Sequence, residues 1–329
     1  MDASPFSGAG SLAFKGFDMR HMFRAVGLCV AGALILSACA SGEVAAAPMA
    51  APIVDLAAVP DYVAPPVAQL EAKTVRIYDA PEADQGVAVD SDFFYALDNT
   101  VIGKYRRDTG QLVARFTAPH KGLIRHMNSC YARDAKLWCA NSNYSLVPMG
   151  SSIEVFDAAS MTHAATHSLG MMDEGSLTWF DDIDGGRIAA FAHYSGNGGV
   201  PFKDSTYSSV VTFDKDWRRT GGWLFPEGVI QRMAPHAASG GAIGPDGLLY
   251  VLGHDLPEMY VLARPSMGPT MIHVATIRLG VGGQAFSFAP GEGGVIFAID
   301  RAGGKVSEIA LPEVALNTPD AQPFTRQVP

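Results

Sequence analysis

Residues 239–263 read SGGAIGPDGLLYVLGHDLPEMYVLA and contain three short apolar runs separated by two turns. The turn Pro245-Asp246-Gly247 joins the first run to LLYVLG, and the polar hinge from His254 to Glu258 joins LLYVLG to EMYVLA. Short runs of valine, leucine and tyrosine divided by glycine, proline and aspartate are typical of antiparallel strands. With the next apolar run, IHVATIRL at 272–279, the stretch predicts a meander of four strands.

The second strand of this meander, LLYVLG, has counterparts along the chain. Five segments of small or apolar residues each close on one polar residue, at intervals of about fifty residues, which is near the period of a propeller blade. The segments are FFYALD ending at Asp98, KLWCAN at Asn141, RIAAFAH at His193, LLYVLGH at His254 and GVIFAID at Asp300.

The fifth unit lacks an outer strand, and TVRIY at 74–78 can supply one. Pairing of the two chain ends would remove the exposed edges of the ring. We therefore predict an all-β protein, a five-bladed β-propeller of four-stranded antiparallel blades over residues 73–312, closed by the N-terminal strand. The alternative is a six-bladed ring with a further unit in 217–239. Residues 313–329 are predicted to be a polar C-terminal tail.

The N-terminal segment has the pattern of a targeting sequence. A basic start at 19–24 precedes an apolar run at 25–36 that is too short to span a bilayer, and the run ends in Leu36-Ser37-Ala38-Cys39. This ending resembles the lipobox of bacterial lipoproteins, which implies a signal peptide over 1–38 and an acyl anchor, such as palmitate, on Cys39. Residues 1–18 carry no targeting pattern, as expected if the start codon is placed too early. The alternatives are an ordinary signal peptide cleaved elsewhere and a short buried helix.

Residues 39–72 are rich in alanine and proline and are predicted to be the lipidated cysteine and a tether. An irregular arm packed along the domain is the alternative. The anchor would place the protein in the bacterial cell envelope, and Ala40 in place of aspartate favours the outer membrane, facing the periplasm.

Cys130 and Cys139 flank the turn at 133–136 and would lie opposite each other in a hairpin. In an oxidising compartment they are predicted to form a disulfide, with two free buried thiols as the alternative.

Residues 39–329 carry 21 basic and 31 acidic side chains, and the acids are scattered through turns. No basic stripe could neutralise phosphates, so a nucleic-acid partner is not expected. The predicted partners are the membrane, through the lipid anchor, and a small polar ligand or an extracytoplasmic protein.

In a meander, the first strand starts and the second strand ends on the same face of the disc. The five segment ends would therefore surround one mouth of the central channel, and the starts of the inner strands would lie closer to the axis. Long connections and convergent polar groups at one face are typical of a binding site. The predicted pocket comprises the segment ends Asp98, Asn141, His193, His254 and Asp300, the inner-strand residues Gln85, Asn128, Ser176, Ser239 and Gln284, and the connection residues His120, Arg125, His126, Tyr144, Tyr194, Asn197, His236, Asp255, Glu258 and Arg301.

Imidazoles and carboxylates in this set could bind a divalent metal ion, calcium or zinc, with His193, His254 and Asp255 as its ligands. They could equally act as acid and base. For any single histidine the alternative is a strand-end side chain bonded to a backbone carbonyl. No G-x-S-x-G motif is present, and no complete catalytic set can be recognised, so the sequence leaves enzymatic activity open.

The segment GPDGLLYVLGHD at 244–255, with the blade pattern, resembles the lactonase-like propellers, which include the gluconolactonase, NHL and cycloisomerase-type groups. The resemblance implies a metal-dependent lactonase or cycloisomerase whose cation is held by a Glu, Asn and Asp set, which cannot be assigned here. The sequence therefore supports two functions, a lipid-anchored propeller that binds a ligand or partner and a metal-dependent enzyme using the same pocket.

Overall fold

The computed structural model describes residues 62–194 and 199–325. Within these ranges the chain forms five sheets, each built on an antiparallel meander of four strands, one short helix α1 (Glu227–Met233) and a 3-10 turn at Ser205–Tyr207. This is the predicted five-bladed propeller, and the fold prediction is confirmed. The 217–239 stretch, where the alternative placed a sixth blade, contains the outer strand of blade 3 and α1. The predicted signal peptide, Cys39 and most of the tether lie outside the described residues.

Two strands, β1 (Ala68–Glu71) and β2 (Lys73–Asp79), precede the first blade and join blades formed much later in the chain. The first three blades each use four consecutive strands. Blade 1 contains β3 (Gly86–Val89), β4 (Phe93–Leu97), β5 (Val101–Arg106) and β6 (Leu112–Thr117). Blade 2 contains β7 (His126–Arg133), β8 (Lys136–Ser142), β9 (Gly150–Asp157) and β10 (Thr162–Met171). Blade 3 contains β11 (Ser176–Ile183), β12 (Gly186–Ala192), β13 (Ser209–Asp214) and β14 (Arg219–Leu224).

Strands near the chain ends join the last two blades: they extend blade 4 and complete blade 5. Blade 4 contains β15 (Gly240–Ile243), β16 (Leu249–Leu252), β17 (Glu258–Pro265) and β18 (Ile272–Arg278). Blade 5 contains β19 (Ser287–Phe288), β20 (Val295–Asp300), β21 (Lys305–Ala310) and, as its outer strand, β2. The β2–β21 pair runs from Lys73 opposite Ala310 to Asp79 opposite Lys305, which closes the ring as the sequence predicts.

The last residues of the predicted tether pack on the propeller. Strand β1 lies within residues assigned to the tether, yet it pairs in parallel with β18, with Ala68 opposite Ala275. The pairing is stabilised because Leu70 packs against the apolar cluster of blade 4, and because the Ala72 N–H donates to the Arg278 carbonyl at 2.9 Å. A two-stranded contact with a few apolar residues is too short to be recognised in an alanine- and proline-rich segment.

The C-terminal segment also packs on the propeller, although it was predicted to be a polar tail. Strand β22 (Ala321–Gln322) pairs with the end of β17. Phe324 is buried, and its ring lies 5.5 Å from the ring of Trp223. The Phe324 N–H donates to the carbonyl of Gly247, so the C-terminal segment contacts the turn at 245–247 between the first two strands of blade 4.

The inner strands approach one another too closely for side chains at two positions. A Cβ on Gly86 would lie 2.6 Å from the Cβ of Ala285, and a Cβ on Gly240 would lie 2.5 Å from the carbonyl oxygen of Gln284. Only glycine allows the inner strands of blades 1 and 4 to pack this tightly against blade 5. In blade 2, Cys130 and Cys139 are paired residues of β7 and β8 and form a disulfide, with their Cα atoms 4.0 Å apart.

Register shifts occur in the outer strand pairs of the first three blades. They fall between Lys104 and Tyr105 in blade 1, at two places in β10 in blade 2, and between Thr212 and Phe213 in blade 3. Such irregularities bend a strand and increase its twist. Strand β2 has a similar shift between Thr74 and Arg76. Among the described residues, no further strand pairs with β6, β10, β14 or β2, which form the outer edges of their blades, and β1 forms the outer edge of blade 4. The last residue of β14, Leu224, also makes an isolated bridge to Thr270.

Candidate functional site

A cavity of about 140 Å³ opens at the mouth of the channel where the inner strands begin. All five blades and their connections contribute to its wall. The lining residues are Gln85, His126, Asn128, Tyr144, Ser176, Thr178, Ala192, Tyr194, His236, Ala237, Ser239, His254, Gln284 and Arg301. We call this space the mouth cavity.

The floor of the mouth cavity is a ring of buried polar side chains, one from each blade, placed at or just before the start of an inner strand. These side chains are Gln85, Asn128, Ser176, Ser239 and Gln284. The Gln284 side chain is only 2% exposed, and its Oε1 has no hydrogen-bond partner among the described residues. A buried carbonyl oxygen without a partner costs about 1–3 kcal/mol, which indicates a group kept for a ligand or water.

A chain of polar contacts borders the mouth cavity and links blades 1, 5 and 4. Arg301 donates from Nε to Asp84 Oδ1 at 2.8 Å and from Nη1 to His254 Nε2 at 3.1 Å. A guanidinium can only donate, so His254 Nε2 must accept, and the ring proton is on Nδ1. His254 Nδ1 therefore donates to Asp255 Oδ1 at 2.6 Å. The His236 ring stacks on the His254 ring, with centroids 4.0 Å apart.

The remaining imidazoles of the mouth cavity are held in their neutral form. Burial, reinforced by the positive charge of Arg301, lowers the pKa of His126 to about 4. His126 Nδ1 donates to Asn99 Oδ1, and its ring stacks on Tyr144 at 4.7 Å. Burial likewise lowers the pKa of His236 below the ordinary histidine value. Arg301 is the one lining residue with a permanent charge, and Asp84 already pairs with it.

Three side chains at the rim have the composition of a metal site. The ligand atoms of His236, His254 and Asp255 lie within 4.8 Å of one another. Metal-bound imidazoles usually donate their second N–H to a carboxylate or carbonyl. Here the second nitrogen of His254 faces Arg301, so coordination through Nδ1 would bring two donors together. A metal ion fits these residues only after Arg301 turns away from His254.

His193, the third member of the predicted metal set, does not join this group. Its ring is buried, and Nε2 donates to the backbone carbonyl of Asp173 at 3.1 Å, which is the alternative given for a single strand-end histidine. His236 occupies the position beside His254 and Asp255 instead. His236 was predicted to line the pocket but not to be a metal ligand, and the connection between α1 and β15 brings it beside His254 and Asp255.

Several other predicted pocket residues form hydrogen bonds with backbone groups around the mouth of the channel. Asn141 is buried, accepts from the N–H groups of Arg125 and His126, and donates to the Leu123 carbonyl. Asp98 and Asp300 accept hydrogen bonds within their own turns.

Two further predicted residues do not line the mouth cavity. His120 is exposed, and Asp255, also exposed, accepts a hydrogen bond from His254 Nδ1. Asn197 is outside the described residues. Of the twenty residues predicted for the pocket, eleven line the mouth cavity, namely Gln85, Asn128, Ser176, Ser239, Gln284, His126, Tyr144, Tyr194, His236, His254 and Arg301.

The opposite end of the channel holds a larger cavity of about 530 Å³. It shares no lining residue with the mouth cavity, and along the inner strands of blades 2 to 5 no more than one residue separates the two linings. Its wall includes Asp181, whose Oδ2 accepts from the Ile243 N–H at 2.8 Å. Burial raises the pKa of Asp181 to about 6, and the Arg133 guanidinium 3.8 Å away opposes the shift.

This aspartate makes stability depend on pH. Because its pKa is higher in the folded than in the unfolded chain, the folded chain binds more protons between about pH 4 and 6, and stability falls as pH rises through this window. Asp181→Asn keeps an acceptor for Ile243 without the charge. We expect it to flatten this dependence and to stabilise the protein by about 1–2 kcal/mol at pH 7. Urea unfolding from pH 4 to 7 measures both effects, and equal slopes for variant and wild type would contradict the assignment.

Comparisons with known proteins find only weak similarities to this chain. No protein-family description matches the sequence, and no curated protein matches it. Among solved structures, the RRP9 WD40 repeats are 12% identical, covering 74% of this chain and 98% of that chain, with a TM-score of 0.35. The Pan2 WD40 domain of Neurospora crassa is 10% identical, covering 76% and 64%, with a TM-score of 0.32. A chain of the Mitotic Checkpoint Complex is 10% identical, covering 82% and 100%, with a TM-score of 0.42.

Similarities this weak say nothing about ligands, and the count of five blades depends on the sheets described above. The comparisons give no support to the lactonase-like resemblance or to the lipoprotein assignment, which stay predictions. In the described part of the chain, no helix is both long and apolar enough to cross a membrane.

Proposed function

We propose that this protein is a lipid-anchored propeller of the bacterial cell envelope that binds a small polar ligand in the mouth cavity. The observation that carries the proposal is the buried Oε1 of Gln284 on the cavity floor, which has no hydrogen-bond partner in the part of the chain that the structure describes. It is surrounded by polar side chains from all five blades, which a rigid scaffold holds in place.

A thermal-shift screen of small polar metabolites tests the binding proposal. A ligand raises the melting temperature by mass action, so wild-type protein should respond to at least one compound. Gln284→Met removes the acceptor with little change in volume and should abolish that response. Its own unliganded stability should not fall, because the lost carbonyl has no partner. A response of equal size in Gln284→Met would place the ligand elsewhere and reject the proposal.

The anchor is tested separately from the pocket. Cys39→Ser removes the thiol that an acyl transferase would modify, so we expect the protein to move from the membrane to the soluble fraction. Labelling by a fatty-acid analogue should disappear in the same variant. The matched control is Cys29→Ser, which changes the other cysteine of the N-terminal segment and should still be labelled. Membrane retention of Cys39→Ser would rule out the lipid anchor.

A metal-dependent enzyme of the lactonase or cycloisomerase type is the second candidate function. The observation that favours it is the convergence of His236, His254 and Asp255. The contact from Arg301 to His254 Nε2 weighs against it, because that contact fixes the proton on the nitrogen that a metal would need. Elemental analysis of purified protein for zinc and calcium, with His236→Ala as the comparison, separates the two functions. Stoichiometric metal that disappears in His236→Ala would establish the metal site.

A further inference from the structure

We propose that the mouth cavity takes an uncharged polyhydroxylated ligand of about the size of a monosaccharide. The inference rests on the proposed function and adds the chemical class of the ligand. Three properties of the cavity support it: acceptor atoms on its floor and wall, the pairing of its one charged side chain, and the size and aromatic character of its wall.

The fixed hydrogen bonds leave acceptors facing a ligand. Gln284 Oε1 has no partner among the described residues. Gln85 Nε2 donates to Asp84 Oδ2 at 3.1 Å, which leaves the Gln85 Oε1 as an acceptor. His126 Nδ1 donates to Asn99, so its Nε2 carries the lone pair. A ligand that satisfies these atoms must donate, and hydroxyl groups do so, whereas carboxylates and phosphates only accept.

The charges at the cavity disfavour ligands that carry an ammonium group or an anionic group. Arg301 would repel an ammonium group, and the described lining residues include no carboxylate that would compensate. An anion would share Arg301 with the Asp84 carboxylate, which lies 2.8 Å from Nε, and the two negative charges would repel each other. Desolvating a charge that has no partner of its own is costly. An uncharged ligand leaves the Asp84–Arg301–His254 contacts intact.

The wall is suited to a small ring. Tyr144 and Tyr194 line the cavity with their rings edge to face, 4.9 Å between centroids. Aromatic faces of this kind offer apolar area beside polar groups. At roughly 10–15 Å³ per water-sized occupant, a cavity of this volume holds about ten heavy atoms. Ten heavy atoms is close to the size of a pyranose or cyclitol.

Calorimetric titration of the full chain with sugars that differ in charge tests the inference. The uncharged probes are glucose, galactose and myo-inositol, and the charged counterparts of glucose are glucosamine and glucuronate. We expect at least one uncharged probe to bind, and both charged counterparts to bind at least tenfold more weakly than the best of them. Gln284→Met should weaken that binding about tenfold, the effect of one lost hydrogen bond to a buried group. Gln231→Met, at an exposed position of α1, should leave it unchanged.

Gln85→Met removes a second acceptor and keeps the test open if Gln284→Met does not fold. Tighter binding of glucuronate or glucosamine, lost in these variants, would overturn the uncharged class and leave the proposed function standing. Absence of cavity-dependent binding for all five probes would overturn the inference. The metabolite screen then decides whether the proposed function fails with it.

Discussion

A chain that begins at Ala80 is expected not to fold, whereas a chain that begins at Tyr62 should fold with a single cooperative transition. The first truncation removes β1 and β2, and with β2 it removes Tyr78, which is buried against Phe94 and Phe297. Blade 5 would keep three strands with an open, apolar edge. The loss should approach the whole stability of the domain, about 5–15 kcal/mol, because the ring can no longer close.

Circular dichroism and urea unfolding of the two truncated chains measure this difference. The chain from Tyr62 is the matched control, since it keeps the full set of described residues. A cooperative transition of normal amplitude in the chain from Ala80 would show that β2 is dispensable and that closure does not stabilise the propeller.

Gly240→Val is expected to destabilise the protein by at least about 3 kcal/mol. The new side chain would start 2.5 Å from the Gln284 carbonyl oxygen and 2.7 Å from the Ala285 Cα, and backbone atoms cannot move aside as side chains do. Overpacking of a well-packed core costs about 1–3 kcal/mol or more, and the upper range applies where backbone is displaced.

Gly228→Val is the control for this substitution. Gly228 lies in α1, and a Cβ built there meets nothing within 4 Å. Its unfolding midpoint should stay close to that of the wild type. If Gly240→Val were equally stable, the inner strands would not be in the close contact described for them. Because Gln284 is a direct neighbour, Gly240→Val should also weaken any ligand response of the mouth cavity.

The blade pattern could be predicted because it is local. Each strand has its own alternation or apolar run, each turn has its own glycine or aspartate, and the fifty-residue spacing repeats them. Closure could also be predicted, since the fifth unit lacked one strand and a spare strand preceded the first. The pairings of β1 and β22 could not be predicted, because each strand is two to four residues long and is stabilised only by a distant blade.

The site residues at the starts of the inner strands were predicted better than those at the ends of the second strands. Gln85, Asn128 and Gln284 lie where counting back along the inner strands places them. Residues that end the second strands lie one strand farther from the axis, so Asn141 and His193 bond to the backbone around them. The Arg301 contacts join residues more than forty positions apart, and no sequence spacing encodes them.

The register shifts in the outer strand pairs have a consequence for self-association. The outer strands β6, β10, β14 and β2 each contain a register shift and pair with no further strand among the described residues, and a flat unpaired strand would allow a second chain to add to the sheet. A bulged strand is bent and twisted, so a neighbouring copy cannot form a continuous ladder with it. A protein concentrated at a membrane surface by an anchor would meet copies of itself often. Its bulged edges would then oppose sheet-to-sheet aggregation under the condition that most promotes it.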